Sequence, residues 1–213
     1  MSEHDDHDHD EGDDHGHGGN HDHGESHDHD GSHDHGGSHD HGEDHDHHHH
    51  DLVELGVAVV TVSSSRSLDD DPAGDAVAEL VEGAGNEVVI RELVRDEYDG
   101  VQDAVDRLVD RGDTDCVVTT GGTGVTPDDV TVEAVEPLFE KRLPGFGELF
   151  RTLSYEEIGT KVVGTRAAAG VADDVPVFCL PGSENAARLG VGEIIVEEAP
   201  HLAGLARREE EGE

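Results

Sequence analysis

The chain has 213 residues, with 53 acidic side chains against 13 basic ones and a formal charge of −40. A field so negative repels nucleic acid, whose binding depends on Lys and Arg neutralising phosphates, and no basic stripe interrupts it. The longest apolar-rich run, 55–62, is far too short for a bilayer, and Met1-Ser2-Glu3-His4 opens neither a basic nor an apolar leader, so a cytoplasmic protein without a membrane partner is expected.

Residues 1–50 hold 18 of the 19 histidines and 17 of the acids, without one Lys or Arg. Such a stretch cannot bury a core. Residues 1–51 are therefore expected to be a disordered acidic tail, 52–207 one globular domain and 208–213 a short acidic tail. His-Asp-His units recur, as in His27-Asp28-His29 and His33-Asp34-His35, and the run ends in His47, His48, His49 and His50. Imidazole and carboxylate together suit Zn²⁺, Ni²⁺ or Cu²⁺, many weak sites acting at high local density; a merely solvating tail is the alternative. The other 36 acids against 13 bases leave residues 51–213 at −23, with only two lysines. That balance points to a high-salt cytoplasm, where carboxylate repulsion is screened within roughly 3 Å at 1 M salt.

In chain order, 55–62 is a continuous Val-rich run, as in a strand buried on both faces, and 75–82 repeats apolar residues at helical spacing before Gly83 and Gly85. The cycle recurs as a strand over 87–94, a helix over 101–110 and a strand over 116–120, so the sheet should be mainly parallel. Val132, Val135, Leu138 and Phe139 mark a third helix, and Pro144-Gly145 opens a fourth. Residues 161–171 have no clear period. A last strand over 177–180 enters Pro181-Gly182-Ser183, and 185–195 reads as helix. Cys116 and Cys179 each lie in an apolar run with no second Cys at metal or redox spacing, which makes them core residues.

Ligands of open α/β sheets bind beyond the carboxyl ends of the strands. Here those ends carry Ser63-Ser64-Ser65-Arg66, Arg95-Asp96-Glu97, a glycine turn and Pro181-Gly182-Ser183. The glycine turn is the most informative. Gly121, Gly122 and Gly124 allow backbone amides to approach an anion closely, and Thr119, Thr120 and Thr123 add hydroxyls. Asp128 and Asp129 follow. No Gly-Lys-Ser/Thr completes a Walker loop, and Pro127 breaks a dinucleotide fingerprint. Asp96 and Asp129 both follow strand ends and are candidates for Mg²⁺, which often takes one or two carboxylates plus substrate phosphates. Capping of the next helix is the alternative for Asp129, and a solvated loop for Asp96. Ser63–Ser65 and Pro181–Ser183 are candidate phosphate donors, a flexible loop and a helix-start turn being their plainer readings. Of Arg66, Arg151 and Arg166, one at least should face an anionic ligand.

Residues 55–200 resemble the MoaB/MogA family of molybdenum cofactor biosynthesis proteins. The resemblance rests on Val118-Thr119-Thr120-Gly121-Gly122-Thr123-Gly124, Asp129-Val130-Thr131, Pro144 through Arg151, Glu157-Ile158-Gly159-Thr160, Arg166 through Val171, and Leu180-Pro181-Gly182-Ser183. The block from 144 to 171 is nearer the B-type branch. The resemblance implies a three-layer αβα, molybdopterin-binding fold that assembles as a homotrimer or homohexamer. It also implies binding of molybdopterin and ATP at the strand ends, Asp96 and Asp129 as the catalytic aspartates, and a metal-insertion protein as a partner. Two positions depart from the family's usual pattern: Asp128 stands where Arg is usual, and Asp71-Pro72-Ala73-Gly74 replaces Asp-x-Ser-Gly.

Overall fold

The computed structural model describes residues 51–207, in which six strands form one sheet with helices on both faces. Strand β1 (Gly56–Val62) is buried at all its positions because it is central: it pairs in parallel with β2 (Glu87–Val94) on one side and β3 (Cys116–Thr120) on the other. β3 pairs in parallel with β6 (Val175–Leu180), and two antiparallel pairings then add β5 (Ala168–Ala172) and β4 (Lys141–Arg142). The order is β2-β1-β3-β6-β5-β4. The parallel part follows the predicted strands closely; the β4–β5 edge was not anticipated. Ala168-Ala169-Gly170-Val171-Ala172 has little of the β-branched or aromatic character that marks strands. Its signal lies in the turn to β6, where Asp173 and Asp174 have φ of 47° and 60°, as a tight two-residue hairpin requires. Gly170 is needed too, since the Phe139 ring occupies the place of a Cβ, 2.3 Å away.

Alternation along the strands builds two cores. Val57, Val59, Cys116, Val118, Phe178 and Leu180 face α1 (Pro72–Gly83), α4 (Pro144–Ile158), α5 (Glu184–Gly190) and α6 (Val196–Ala206). Ala58, Val60, Val117, Val177 and Cys179 face α2 (Tyr98–Val109) and α3 (Thr131–Val135). This is the expected three-layer αβα arrangement, and each fully buried valine contributes about 1.5–3 kcal/mol. The two cysteines point to opposite faces. Burial in apolar surroundings pushes both thiols up, that of Cys179 to about 12, which makes them inert core residues.

Helix boundaries differ from the periodicity in several places: α2 starts at Tyr98, three residues early, and the third helix ends at Val135, where a 3₁₀ turn over Glu136–Leu138 takes over. α1 starts three residues early, because Asp71 accepts a hydrogen bond from the Gly74 amide at 3.0 Å and Pro72 supplies a first-turn φ. The helix expected over 185–195 is α5 followed by a π-turn over Val191–Ile195, and the chain then continues into α6. Pro200 lies inside α6, where it supplies no backbone N–H to the helix. No helix among the described residues is long and apolar enough to cross a membrane. The His/Asp-rich units, including His27, His29, His33, His35 and His47–His50, lie outside the described residues, as does 208–213.

Candidate phosphate-binding site at the strand ends

The carboxyl ends of the four parallel strands lie side by side, and backbone contacts tie together the loops that follow them. The Gly121 amide donates to Leu180 O at 2.9 Å and the Ser63 amide to Val94 O at 2.9 Å. A Cβ on Gly182 would stand 3.0 Å from Gly121 Cα, so the turns after β3 and β6 touch at their glycines. Gly121 has φ of 101°, and a side chain there would meet Val62 O at 2.2 Å. At Gly122, with φ of 65°, it would meet Thr131 Oγ1 at 2.2 Å; that hydroxyl donates to Gly121 O at 2.8 Å. Only glycine fits either place.

Asp129 closes the loop from its far end. Its Oδ2 accepts from the Thr126 amide and the Thr126 hydroxyl, both at 2.7 Å, and a Cβ on Gly124 would come within 2.7 Å of the same oxygen. It does not cap α3: the cap position is Val130, without a side-chain bond. Partial burial tends to raise the pKa of Asp129, but the bonds from Thr126 and Gly124, with the Arg166 charge, outweigh it and hold the carboxyl below its usual value. The pairing with Arg166 likewise lowers Glu133. Both groups are therefore ionised at neutral pH.

Arg166 acts as a strut for this loop. Its Nε donates to Gly124 O at 2.6 Å, one terminal nitrogen donates to Asp129 O at 2.9 Å, the other pairs with Glu133, and its own amide donates to Thr123 O at 3.1 Å. Arg166→Ala should destabilise the protein by about 2–3 kcal/mol, as expected for losing bonds to a charged donor. Hydrogen exchange would check this, with amides of 123–129 losing protection before those of β3. Because Asp129 and Glu133 are lowered, the stability they give is complete above their unfolded values of 3.8 and 4.5 and is lost as pH falls through their lower folded values. Thermal melts between pH 7 and pH 3 should be flat above about pH 4.5 and fall below it.

The other predicted residues divide. Thr123 is buried with its hydroxyl unpartnered among the described residues, a donor with nothing yet to bind. Thr120 differs from expectation: it is fully buried and donates inward to Thr61 Oγ1 at 3.4 Å. Thr61 in turn donates to Asp71 Oδ2 at 2.5 Å. Thr119 is buried within β3 on the opposite face. Ser63 Oγ accepts from the amides of Ser65 and Arg66, which shapes that turn rather than leaving it loose. Arg66 stands 3.6 Å from Asp71, and Arg91 at 3.4 Å. Ser183 caps α5 by accepting from the Ala186 amide at 3.2 Å, so Pro181-Gly182-Ser183 is a helix-start turn as well as a site edge.

Asp96 is half-buried after β2, its amide donating to Ser64 Oγ at 3.4 Å. Its strand is separated from β3 by β1, so the bases of the two loops are two strand spacings, about 10 Å, apart. Among the described residues no group of three or more His, Cys, Asp or Glu is placed to share an ion. An open cleft of about 450 Å³ borders the loop at Thr126, Asp129, Glu133 and Arg166. A narrower cavity of about 150 Å³ lies beside the last turn, lined by Phe150, Ser154, Thr165, Pro181, Ser183 and Leu189. Sequence reasoning missed Asp71 and Thr61 as a buried network. The legible signal was a threonine inside an otherwise apolar strand and an acid before Pro at a helix start.

Known proteins carry the same scaffold. Residues 58–201 match the family model MoCF_biosynth, described as a probable molybdopterin binding domain. Molybdenum cofactor biosynthesis protein B of Bacillus subtilis is 41% identical over 152 residues, 71% of this chain and 89% of that protein. A solved structure of molybdenum cofactor biosynthesis protein B superposes with a TM-score of 0.71 at 39% identity, covering 73% of this chain and 98% of the other. The tungsten cofactor synthesizing protein MoaB from Pyrococcus furiosus gives 0.66 at 39%, covering 74% and 99%. With the sheet, the glycine loop and these matches in agreement, the chain belongs to the MoCF_biosynth family of molybdopterin binding domains, on its MoaB side.

Proposed function

We propose that this protein acts in molybdenum cofactor biosynthesis by adenylylating molybdopterin with Mg-ATP. The terminal phosphate oxygen of molybdopterin attacks the α-phosphorus of ATP; a P–O–P bond forms, the bond to the β-phosphate breaks, and pyrophosphate leaves. A phosphate monoester is already an anionic nucleophile, so positioning and charge neutralisation matter more than a general base. The observation that carries the reading is the glycine loop: the amides of Gly122 and Thr123 without a partner among the described residues, the unpartnered Thr123 hydroxyl and an ionised Asp129 at one strand-end edge.

The donor set suits Mg²⁺. Asp129 is ionised, and the Asp96 carboxylate takes no hydrogen bond from protein among the described residues. Asp96 and Asp129 would hold the ion, which supplies charge neutralisation on the nucleotide phosphates. The amides of Gly122 and Thr123 are offered to phosphate oxygens, those of Gly121 and Gly124 being taken by Leu180 O and Asp129, and the turn at Gly182 packs against Gly121. The cavity beside Phe150 and Ser154 adjoins Pro181 and mixes apolar side chains with the hydroxyls of Ser154, Thr165 and Ser183, and it is the place this reading gives to the pterin.

Molybdopterin and Mg-ATP supplied to the purified protein should yield adenylylated molybdopterin. A second reading is favoured by Asp128, an exposed acid beside the proposed phosphate site: a non-catalytic molybdopterin carrier, whose His-rich tail stores or delivers a divalent metal. Molybdopterin bound without pyrophosphate release would select it, and removal of residues 1–50 would then separate the tail's role from the domain's.

A further inference from the structure

We propose that the cleft between α4 and β5 is a second oxyanion site, distinct from the glycine loop, with Arg151 as its principal ligand and a phosphate or pyrophosphate group as its occupant. The cleft has a volume of about 540 Å³ and is lined by Val132, Arg142, Gly147, Arg151, Arg166 and Ala169, among others. Of its three arginines, Arg142 is paired with Glu136 at 2.9 Å and Arg166 is committed to the loop carbonyls and Glu133. Arg151 is half-buried and makes no hydrogen bond or ion pair among the described residues. Every other described arginine except the exposed Arg95 sits against a carboxylate.

In a domain with nearly three acids for every base, a guanidinium with five donors and no acceptor is conspicuous, because partial desolvation without a partner is unfavourable. Its place is also built. A Cβ at Gly147, one helical turn earlier, would come within 3.0 Å of Arg151 Nη1 and 2.6 Å of Ala167 O. The missing side chain is what allows the guanidinium to lie back over its own helix beside β5. The apolar walls from Val132, Leu143, Val163 and Ala167 to Ala169 strengthen a charge-assisted bond there. Glu136 and Glu148 also line the cleft: Glu136 is taken by Arg142, and Glu148 is exposed and unpaired with Arg151. The planar fork of Arg matches a tetrahedral oxyanion in two-point contact.

Arg166 lines both this cleft and the one beside Asp129, so the occupant is either a free inorganic oxyanion or the polyphosphate end of a nucleotide held at the glycine loop. The inference does not depend on adenylyl transfer. The test uses the full chain and inorganic pyrophosphate as probe. The Arg151 Nε–H resonance, assigned by its loss in Arg151→Lys, should shift saturably with pyrophosphate, and Arg151→Ala should weaken calorimetric pyrophosphate binding at least about tenfold. If ATP binding weakens equally in Arg151→Ala, the source is the nucleotide; if only pyrophosphate is affected, it is the free anion. An unmoved resonance in the wild-type chain, or unchanged pyrophosphate affinity in Arg151→Ala, overturns the proposal. So does breakup of the assembly in Arg151→Ala, since Arg151 would then serve a carboxylate of another copy.

Discussion

Asp129→Asn is expected to slow adenylyl transfer by at least about 100-fold while leaving molybdopterin affinity nearly unchanged and lowering thermal stability only by the charge-dependent part that acidification also removes. The amide keeps the size of the carboxyl and retains an oxygen to accept from the Thr126 amide and hydroxyl, the bonds that shape the loop. What disappears is a negative charge that its surroundings hold ionised well into the acid range. A group needed for the reaction and not for the fold should separate activity from binding in this way. Steady-state pyrophosphate release, equilibrium binding of molybdopterin and a melting curve on one preparation measure all three. An Asn variant of full activity would remove Asp129 from the reaction and leave it as a loop-shaping residue.

The largest stability effect is expected at Asp71. This carboxylate is 1% exposed, accepts from Thr61 at 2.5 Å and from the Gly74 amide at 3.0 Å, and stands within 3.6 Å of both Arg66 and Arg91. Asp71→Ala removes a helix cap and the acceptor of a buried hydroxyl, and leaves two arginines without their shared anion. Losing one partner of a buried pair costs about 3–5 kcal/mol, which for a domain of this size lowers the melting temperature by about 10 °C. Asp71→Asn keeps an acceptor for Thr61 and Gly74 and should lose clearly less. Thr61 links Asp71 to Thr120, the last residue before the glycine loop, so the Ala variant should also weaken phosphate binding at that loop. If Asp71→Ala melts within about 2 °C of wild type, the network is not a support of the site.

Most of the scaffold could be read from the residues. The Val-rich strands, the helical repeats between them and the glycine turn after 116–120 are local signals, and they put the candidate site at the carboxyl ends of the parallel strands. Signals of that kind fail where a residue's role depends on distant neighbours. Ala168–Ala172 becomes a strand because β6 and a two-residue turn fold it back, not because alanine favours extension. Thr120 looks like a phosphate donor in a row of hydroxyls, yet strand alternation turns it toward Thr61. Arg66, Arg151 and Arg166 are equal candidates in the sequence. Pairing separates them, since Arg66 reaches Asp71, Arg166 braces Gly124 and Asp129, and Arg151 is left with a cleft.

The central claim is that the strand-end site transfers an adenylyl group. Its most direct test is pyrophosphate release by the purified full chain given molybdopterin and Mg-ATP in molar KCl, with the product identified by mass. The account predicts adenylylated molybdopterin and pyrophosphate in equal amounts, both absent without Mg²⁺. Molybdopterin bound at full occupancy with no pyrophosphate released would contradict it and leave the domain a carrier.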